Sequence, residues 1–345
     1  MEFGERARQN ERKEGVRGVE QVLLPPFGEQ RKLTEELILS HESAILEDFA
    51  GFRRLADQRL VKNPEISTGG YEHPYPIGRC REINDYVFDS LASNINNPTL
   101  YGVRAIRKFM HAGGLVRKVY VIQNQRYFQN AIQIGTALLD VANDTFDRTK
   151  PAISFSETPE EGGYEMIRSV EQFAQMAEVY WGDRAYPNIY LPALAPRYPV
   201  LLRRSLSLKN PRQQFDRDGL FLDGAALALF NMNRLQITTD GWLFKLTRQF
   251  LFDSSYAGRR LPAEAYKALL DSPQLKALGK FSNNELFVSD DAERAREYLD
   301  ANYFKDETVF ASLPKRLSNI ASVQKLFQGR PLVMFPSRAK DNEQE

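Results

Sequence analysis

Cysteine is almost missing from this chain: Cys80 is the only one in 345 residues. A single thiol excludes an internal disulfide framework and a cysteine-cluster metal site, and it fits a reducing compartment. Histidine is nearly as scarce. His41, His73 and His111 are widely spaced and form no H-x-x-x-H or H-x-x-E-H pair, so no zinc site is expected. An excess of either charge is lacking too, since 46 Lys+Arg against 45 Asp+Glu leave a formal +1. That balance gives no global field to draw nucleic acid or an anionic membrane. No uninterrupted apolar stretch approaches the roughly 20 residues of a membrane helix, and residues 1–18 are rich in Glu and Arg, without the apolar core of a secretory signal. Phosphate-cradling glycine motifs and a G-x-S-x-G elbow are absent. These absences predict a soluble chain, cytoplasmic or exported by a signal-less route, with no cofactor, no nucleic-acid partner and no membrane partner.

What is present begins with a charged, then proline-containing segment over 1–30 that reads as an arm. Apolar residues from Leu37 and Ile38 through Ile45, Phe49 and Phe52 to Leu55 predict one long helix over 33–61. A polar loop follows at 63–70. A second helix starts near Cys80, where Ile83, Val87 and Leu91 recur every four residues. A third runs from 100 to 111 and stops at Gly113-Gly114. Three strands then succeed one another at 116–123, 126–134 and 136–142, separated by Asn124-Gln125 and by Gly135, which makes an antiparallel meander.

In the second half, helices are expected at 165–181, 262–270, 291–302 and 313–327. A short apolar helix or buried run is expected at 224–233 and a strand at 286–288. Between them, 186–199 reads as an irregular, packed connection with four prolines. The organisation is an arm (1–30), a core with its N-terminal helix (31–155) and a mainly helical C-terminal region (156–345). The fold class is α+β.

Cys80 falls in or beside the first turn of its helix, where unpaired N–H groups and the helix dipole favour the thiolate. Gly78-Arg79-Cys80, then 127–134, then Leu138-Leu139-Asp140-Val141-Ala142 follow an order of cysteine helix, intervening helix and meander. That order resembles the transglutaminase-like branch of the papain-like fold over about residues 70–150. The resemblance implies a nucleophilic cysteine on the helix, a histidine on the middle strand and an orienting aspartate on the next. Asp140 matches the aspartate strand. The histidine is missing.

With a two-residue turn at Gly135-Thr136, Asp140 stands opposite Ala131 and Gln129 lies diagonal to it on the same face. Gln129 then takes the histidine position, or Asn130 does if the loop differs by one residue. Neither amide can accept a proton near neutral pH, so neither is the general base of a Cys–His pair. His41 and His111 read as structural, while His73, seven residues before Cys80, sits in a loop able to fold back over the helix start. An isolated cysteine is ordinarily a small buried hydrophobe.

Three readings stay open. The first is a non-catalytic or atypical transglutaminase-like protein that binds a protein or peptide partner, with Cys80, Gln129 and Asp140 as a remnant triad. The second is a Cys80-dependent acyl-transfer enzyme (protease, deamidase or transglutaminase) with His73 as base. The third is a binding protein whose site lies in the proline- and tyrosine-rich second half, around Tyr180-Trp181, Tyr186, Tyr190 and Tyr198.

Overall fold

In a computed structural model of the chain, the described residues are 28–67, 74–192, 194–195, 198–203, 219–222, 227–230, 240–272 and 289–302. The expected helix at 313–327, the expected strand at 286–288 and His73 lie outside them.

The long helix expected over 33–61 is broken. Helix α1 spans Gly28–Leu37, a 3-10 turn occupies Leu39–His41, and α2 spans Glu42–Leu60. Apolar burial continues through the break, with Ile38 and Ile45 both enclosed, so periodicity alone does not reveal it. The break aims α1 at the strand turns. Gln30 Nε2 donates to Gly113 O at 2.9 Å, and its Oε1 accepts from Leu115 N at 2.9 Å. Thr34 Oγ1 accepts from Thr136 N at 3.1 Å. Residues 28–30, which composition assigns to the arm, therefore belong to the folded body. The stretch expected as loop at 63–70 contains a short helix, α3, at Pro64–Ser67.

Helices α4 (Cys80–Asn94) and α5 (Tyr101–His111) pack against α2. At Gly102 an added Cβ would lie 2.5 Å from Ala44 O and Ile45 Cα, so the two backbones meet where only glycine fits. Asp48 Oδ2 on α2 accepts from Val103 N at 3.0 Å and places a negative charge at the start of α5.

The meander forms as expected: β1 (Val116–Gln123), β2 (Tyr127–Ile134) and β3 (Ala137–Asp140). Three residues, 124–126, join β1 to β2, one more than the expected Asn124-Gln125. Asn124 and Gln125 take φ of 51° and 54°, and Arg126 N donates to Gln123 O at 3.0 Å to close the turn. Edge strands β4 (Ser154–Ser156) and β5 (Tyr164–Met166) complete a sheet in the order β4-β3-β2-β1-β5. This first unit thus reaches past residue 155. The sheet curls: Tyr164 on one edge hydrogen-bonds Ser154 on the opposite edge, and its hydroxyl donates to Asp140 on β3 at 3.3 Å. The inner face encloses Val119, Val121, Ala131, Leu138 and Tyr164. The outer face presents Ile132, Ile134, Leu139 and Val141 to α2, α4 and α5.

Helix α6 (Val170–Trp181) starts at Ser169, whose hydroxyl accepts from Gln172 N at 3.0 Å. It starts later than 165 because 164–166 are in β5. A second, four-stranded antiparallel sheet follows, formed by β6 (Arg184–Pro187), β7 (Val200–Arg203), β8 (Gly219–Leu222) and β9 (Leu227–Phe230) in the order β6-β7-β9-β8. The sequence shows no sign of this sheet, and β9 falls where a short helix or buried run is expected. Helices α7 (Asp240–Phe252), α8 (Ala263–Asp271) and α9 (Ala292–Asn302) accompany it. One apolar core joins Tyr120, Ile122 and Phe128 of the first sheet to α6 and to β6, β7, α7, α8 and α9. No helix among the described residues is long and apolar enough to cross a membrane.

Candidate functional site

The loop that delivers Cys80 is fastened at both ends. Gly78, at φ +75°, donates from its N–H to Thr145 O at 2.9 Å, and Arg148 Nη2 donates to the carbonyls of Pro74 at 2.7 Å and Tyr75 at 2.6 Å. Arg79 is fully buried. Its Nε donates to Ile66 O at 2.6 Å and its Nη1 to Ile77 O at 2.9 Å.

Behind the loop lies a buried guanidinium. Arg53 donates to Asp57 (2.7 Å), to both oxygens of Asp144 (2.9 and 3.0 Å), and to the carbonyls of Val141 (2.9 Å) and Ala152 (3.1 Å). Burial works against its charge, but the bonds and charges of Asp144 and Asp57 outweigh that and raise its pKa further. Tyr75 closes the network by donating to Asp57 at 2.5 Å, and burial, then that bond, pushes its hydroxyl well above the usual phenol value. Helix α2, the exit of β3, the 3-10 turn Asn143–Thr145 and the Cys80 loop are thereby locked together.

Cys80 is the first residue of α4 and is half-buried. Its sulfur accepts from Asn130 Nδ2 at 3.2 Å. The residue before Asn130 behaves differently, because successive strand side chains leave opposite faces of the sheet. Gln129 points to the inner face, where Nε2 donates to Asp140 Oδ2 at 2.8 Å and to Ala142 O at 3.2 Å. Asp140 is fully buried; it also accepts from Ala142 N at 2.8 Å and from the Tyr164 hydroxyl. Burial pushes its carboxyl up to about 6, against the bonds from Ala142, Gln129 and Tyr164 that favour the charged form.

The expected register is therefore present. Ile132 pairs with Leu139, which sets Asp140 opposite Ala131, and Gln129 does bond Asp140. The structure does not bring that pair to the thiol. Cys80 lies on the outer face and Gln129–Asp140 on the inner one, so Asn130, with no change in loop length, is the amide facing the sulfur. His73 lies outside the described residues, while His41 and His111 are exposed on other elements, His41 bonded to Ser40.

A second amide stands one turn along α4. Asn84 is fully buried, and neither its Oδ1 nor its Nδ2 has a hydrogen-bond partner among the described residues. Helical side chains lean toward the N-terminus, which sets this amide toward Cys80. Sequence reasoning missed Asn84, although a polar residue between Ile83 and Val87 on the apolar stripe is the signal that marks it. Farther along, Lys118 of β1, itself buried, pairs with Asp85 at 2.5 Å and ties α4 to the sheet. Burial raises the carboxyl of Asp89 on the same helix, and Lys118 opposes the rise.

Aromatic rings form the rim. Tyr127 and Phe146 stack at 4.2 Å between centroids and 14° between planes, Tyr180 lies 6.1 Å from each, and Trp181 packs 4.9 Å from Phe128. In the second half, Tyr186, Tyr190 and Tyr198 are buried in the core, so they form no exposed wall. Glu178 is likewise structural. It accepts from Ala185 N, the Tyr256 hydroxyl and Arg259, fastening α6 to the following strand and to the turn after α7. Among the described residues no cluster of His, Cys, Asp or Glu is placed to hold a metal ion.

No family model, curated protein or solved structure matches this chain. The chemistry of the site rests on its own geometry: a half-buried thiol at a helix start, hydrogen-bonded to an amide, with an aromatic cluster nearby of which Phe146 is exposed.

Proposed function

We propose that this chain acts through binding, as a non-catalytic or atypical transglutaminase-like protein. One observation carries the reading: the group on β2 that faces the Cys80 sulfur is the Asn130 amide, at 3.2 Å. An amide nitrogen donates to sulfur and has no lone pair able to take its proton near neutral pH. Cys-dependent acyl transfer needs a proton acceptor within about 2.6–3.2 Å, or one water, of the thiol. Gln129 and Asp140, the remnant of the triad that the resemblance implies, are engaged with each other on the opposite face.

The second reading is a Cys80-dependent acyl-transfer enzyme with His73 as base. It is supported by the position of Cys80, half-buried at a helix start rather than enclosed in the core. Steady-state hydrolysis of p-nitrophenyl acetate separates the two. Binding predicts that wild type, Cys80→Ala and His73→Ala release p-nitrophenol at the same slow rate, and that neither substitution removes the protein's biological effect. Turnover lost in both variants, with thermal stability unchanged, would replace the binding reading with the enzyme.

A further inference from the structure

Phe146 is 38 % exposed and stacks on Tyr127, which is itself buried. A ring that is simply core would be turned inward, as Tyr190 and Tyr198 are. Tyr180 and Trp181, at the end of α6, extend the apolar surface beside it, and Val179 next to them is 65 % exposed.

Cations surround this shelf. The Arg126 guanidinium lies 5.8 Å from the Phe146 ring, and Lys150 Nζ lies 5.5 Å from the Tyr127 ring and 2.9 Å from its hydroxyl. Arg148 is pinned through Nη2 to the carbonyls of Pro74 and Tyr75. None of the three makes an ion pair among the described residues, and the Arg126 guanidinium makes no hydrogen bond there either. The carboxylates nearby are engaged elsewhere: Asp144 by Arg53, Glu178 by Arg259, Asp147 by Thr149, and Asp140 inside the curled sheet. A chain with a formal charge of only +1 thus sets three cations, none of them in an ion pair among the described residues, around a partly exposed aromatic shelf. Asp147 and Asp140 act on Lys150 only through space. Cation–ring contact at an exposed site contributes about 0.5–1 kcal/mol. The Arg126 guanidinium keeps its donors unspent among the described residues, while Lys150 spends one on the Tyr127 hydroxyl and Arg148 spends Nη2 on two carbonyls.

We propose that this shelf docks an acidic peptide segment of a protein partner. An apolar or aromatic side chain of that segment would lie on Phe146 and Tyr180, and its carboxylates would pair with Arg126, Arg148 and Lys150. This deepens the binding reading by naming the partner's chemistry, and it sets the peptide at the Cys80 loop, because Gly78 is bonded to the residue before Phe146. Carboxylates match the fork of Arg126 directly, and the ring stack supplies the anchor that interface hot spots favour.

The test is fluorescence anisotropy of the full chain with a labelled peptide that alternates Glu and Phe. Its Gln-for-Glu counterpart and an oligouridylate of equal charge serve as comparisons. The acidic peptide binds, its affinity falls at least tenfold in Arg126→Glu and in Phe146→Ala, and the Gln peptide binds at least tenfold more weakly. Arg126→Glu keeps the test valid should Phe146→Ala lower stability, since Arg126 is exposed. No binding at millimolar peptide, equal affinity in Arg126→Glu, or tighter binding of the oligouridylate would each overturn the proposal. Peptide binding that survives while Cys80→Ala abolishes the biological effect would keep the shelf and remove the binding reading. Loss of the shelf alone leaves that reading standing.

Discussion

Asp140 provides the sharpest quantitative test of the inner face. Its carboxyl is fully buried, and its folded value stands at about 6 against an ordinary 3.8. Between those values the folded state keeps a proton that the unfolded chain has released. Stability from this group is therefore fully present below about pH 4 and is lost as pH rises through 6. A difference of about two pKa units amounts to about 3 kcal/mol by pH 7, from about 1.4 kcal/mol per unit. Asp140→Asn removes the titration while keeping the shape. The amide oxygen can still accept one bond, but its NH₂ meets donors from Gln129 or Ala142, which adds an offset that does not vary with pH. Urea unfolding of both proteins at several values from pH 4 to 7.5 isolates the titrating part. The wild-type curve should fall relative to the variant by about 2–3 kcal/mol across that range, then level off. A flat difference, or a wild type that gains on the variant as pH rises, would mean that the donors from Gln129, Ala142 and Tyr164 outweigh burial.

Three further outcomes follow from the same contacts. Arg53→Met strands Asp144 and two buried carbonyls and should lower unfolding free energy by about 3 kcal/mol, read from the urea midpoint. Asn84→Leu removes two buried polar atoms that have no partner among the described residues, keeps the same branching, and should raise stability by about 1–2 kcal/mol in thermal unfolding; a loss would show that the amide has a partner in the folded protein or that the larger methyls do not fit. Asn130→His sets an imidazole against the Cys80 sulfur, so the alkylation midpoint should move below the ordinary thiol value of about 8.5. Gln129→His, on the other face, should leave that midpoint in place.

The first half of the fold was legible because its signals are local. The Gly135-Thr136 turn fixes the register of β2 and β3, the Asn124-Gln125 pair marks the β1–β2 turn although Arg126 joins it there, and alternation does the rest. Ile83, Val87 and Leu91 mark the buried side of α4 and so place Cys80 at its start. The break between α1 and α2 was not legible, because Ile38 and Ile45 keep the apolar pattern intact across it. The second sheet was hidden for another reason. Its strands are four residues long, the prolines around β6 resemble loop, and β7 pairs with β9 across intervening chain. Such pairing leaves no mark in any window of neighbouring residues.

The site shows where register stops being enough. Register places Gln129 beside Asp140, but which face of the strand meets Cys80 depends on which side of the sheet α4 covers, and only packing decides that. Helix α4 brings Ile83, Val87 and Phe88 to the side that already carries Ile132 and Leu139, so Asn130 meets the thiol and Gln129 cannot. The curl of the sheet then gives the other side its own task. Tyr164 reaches from β5 to Asp140 on β3, which fastens two strands that are not neighbours, and Gln129 holds the same carboxylate from the adjacent β2. Two adjacent amides in one strand thus do different work: Gln129 shapes the sheet from within, and Asn130 sets the surroundings of the only sulfur nucleophile in the chain. A change at Gln129 should be read in unfolding curves, and a change at Asn130 in the reactivity of Cys80.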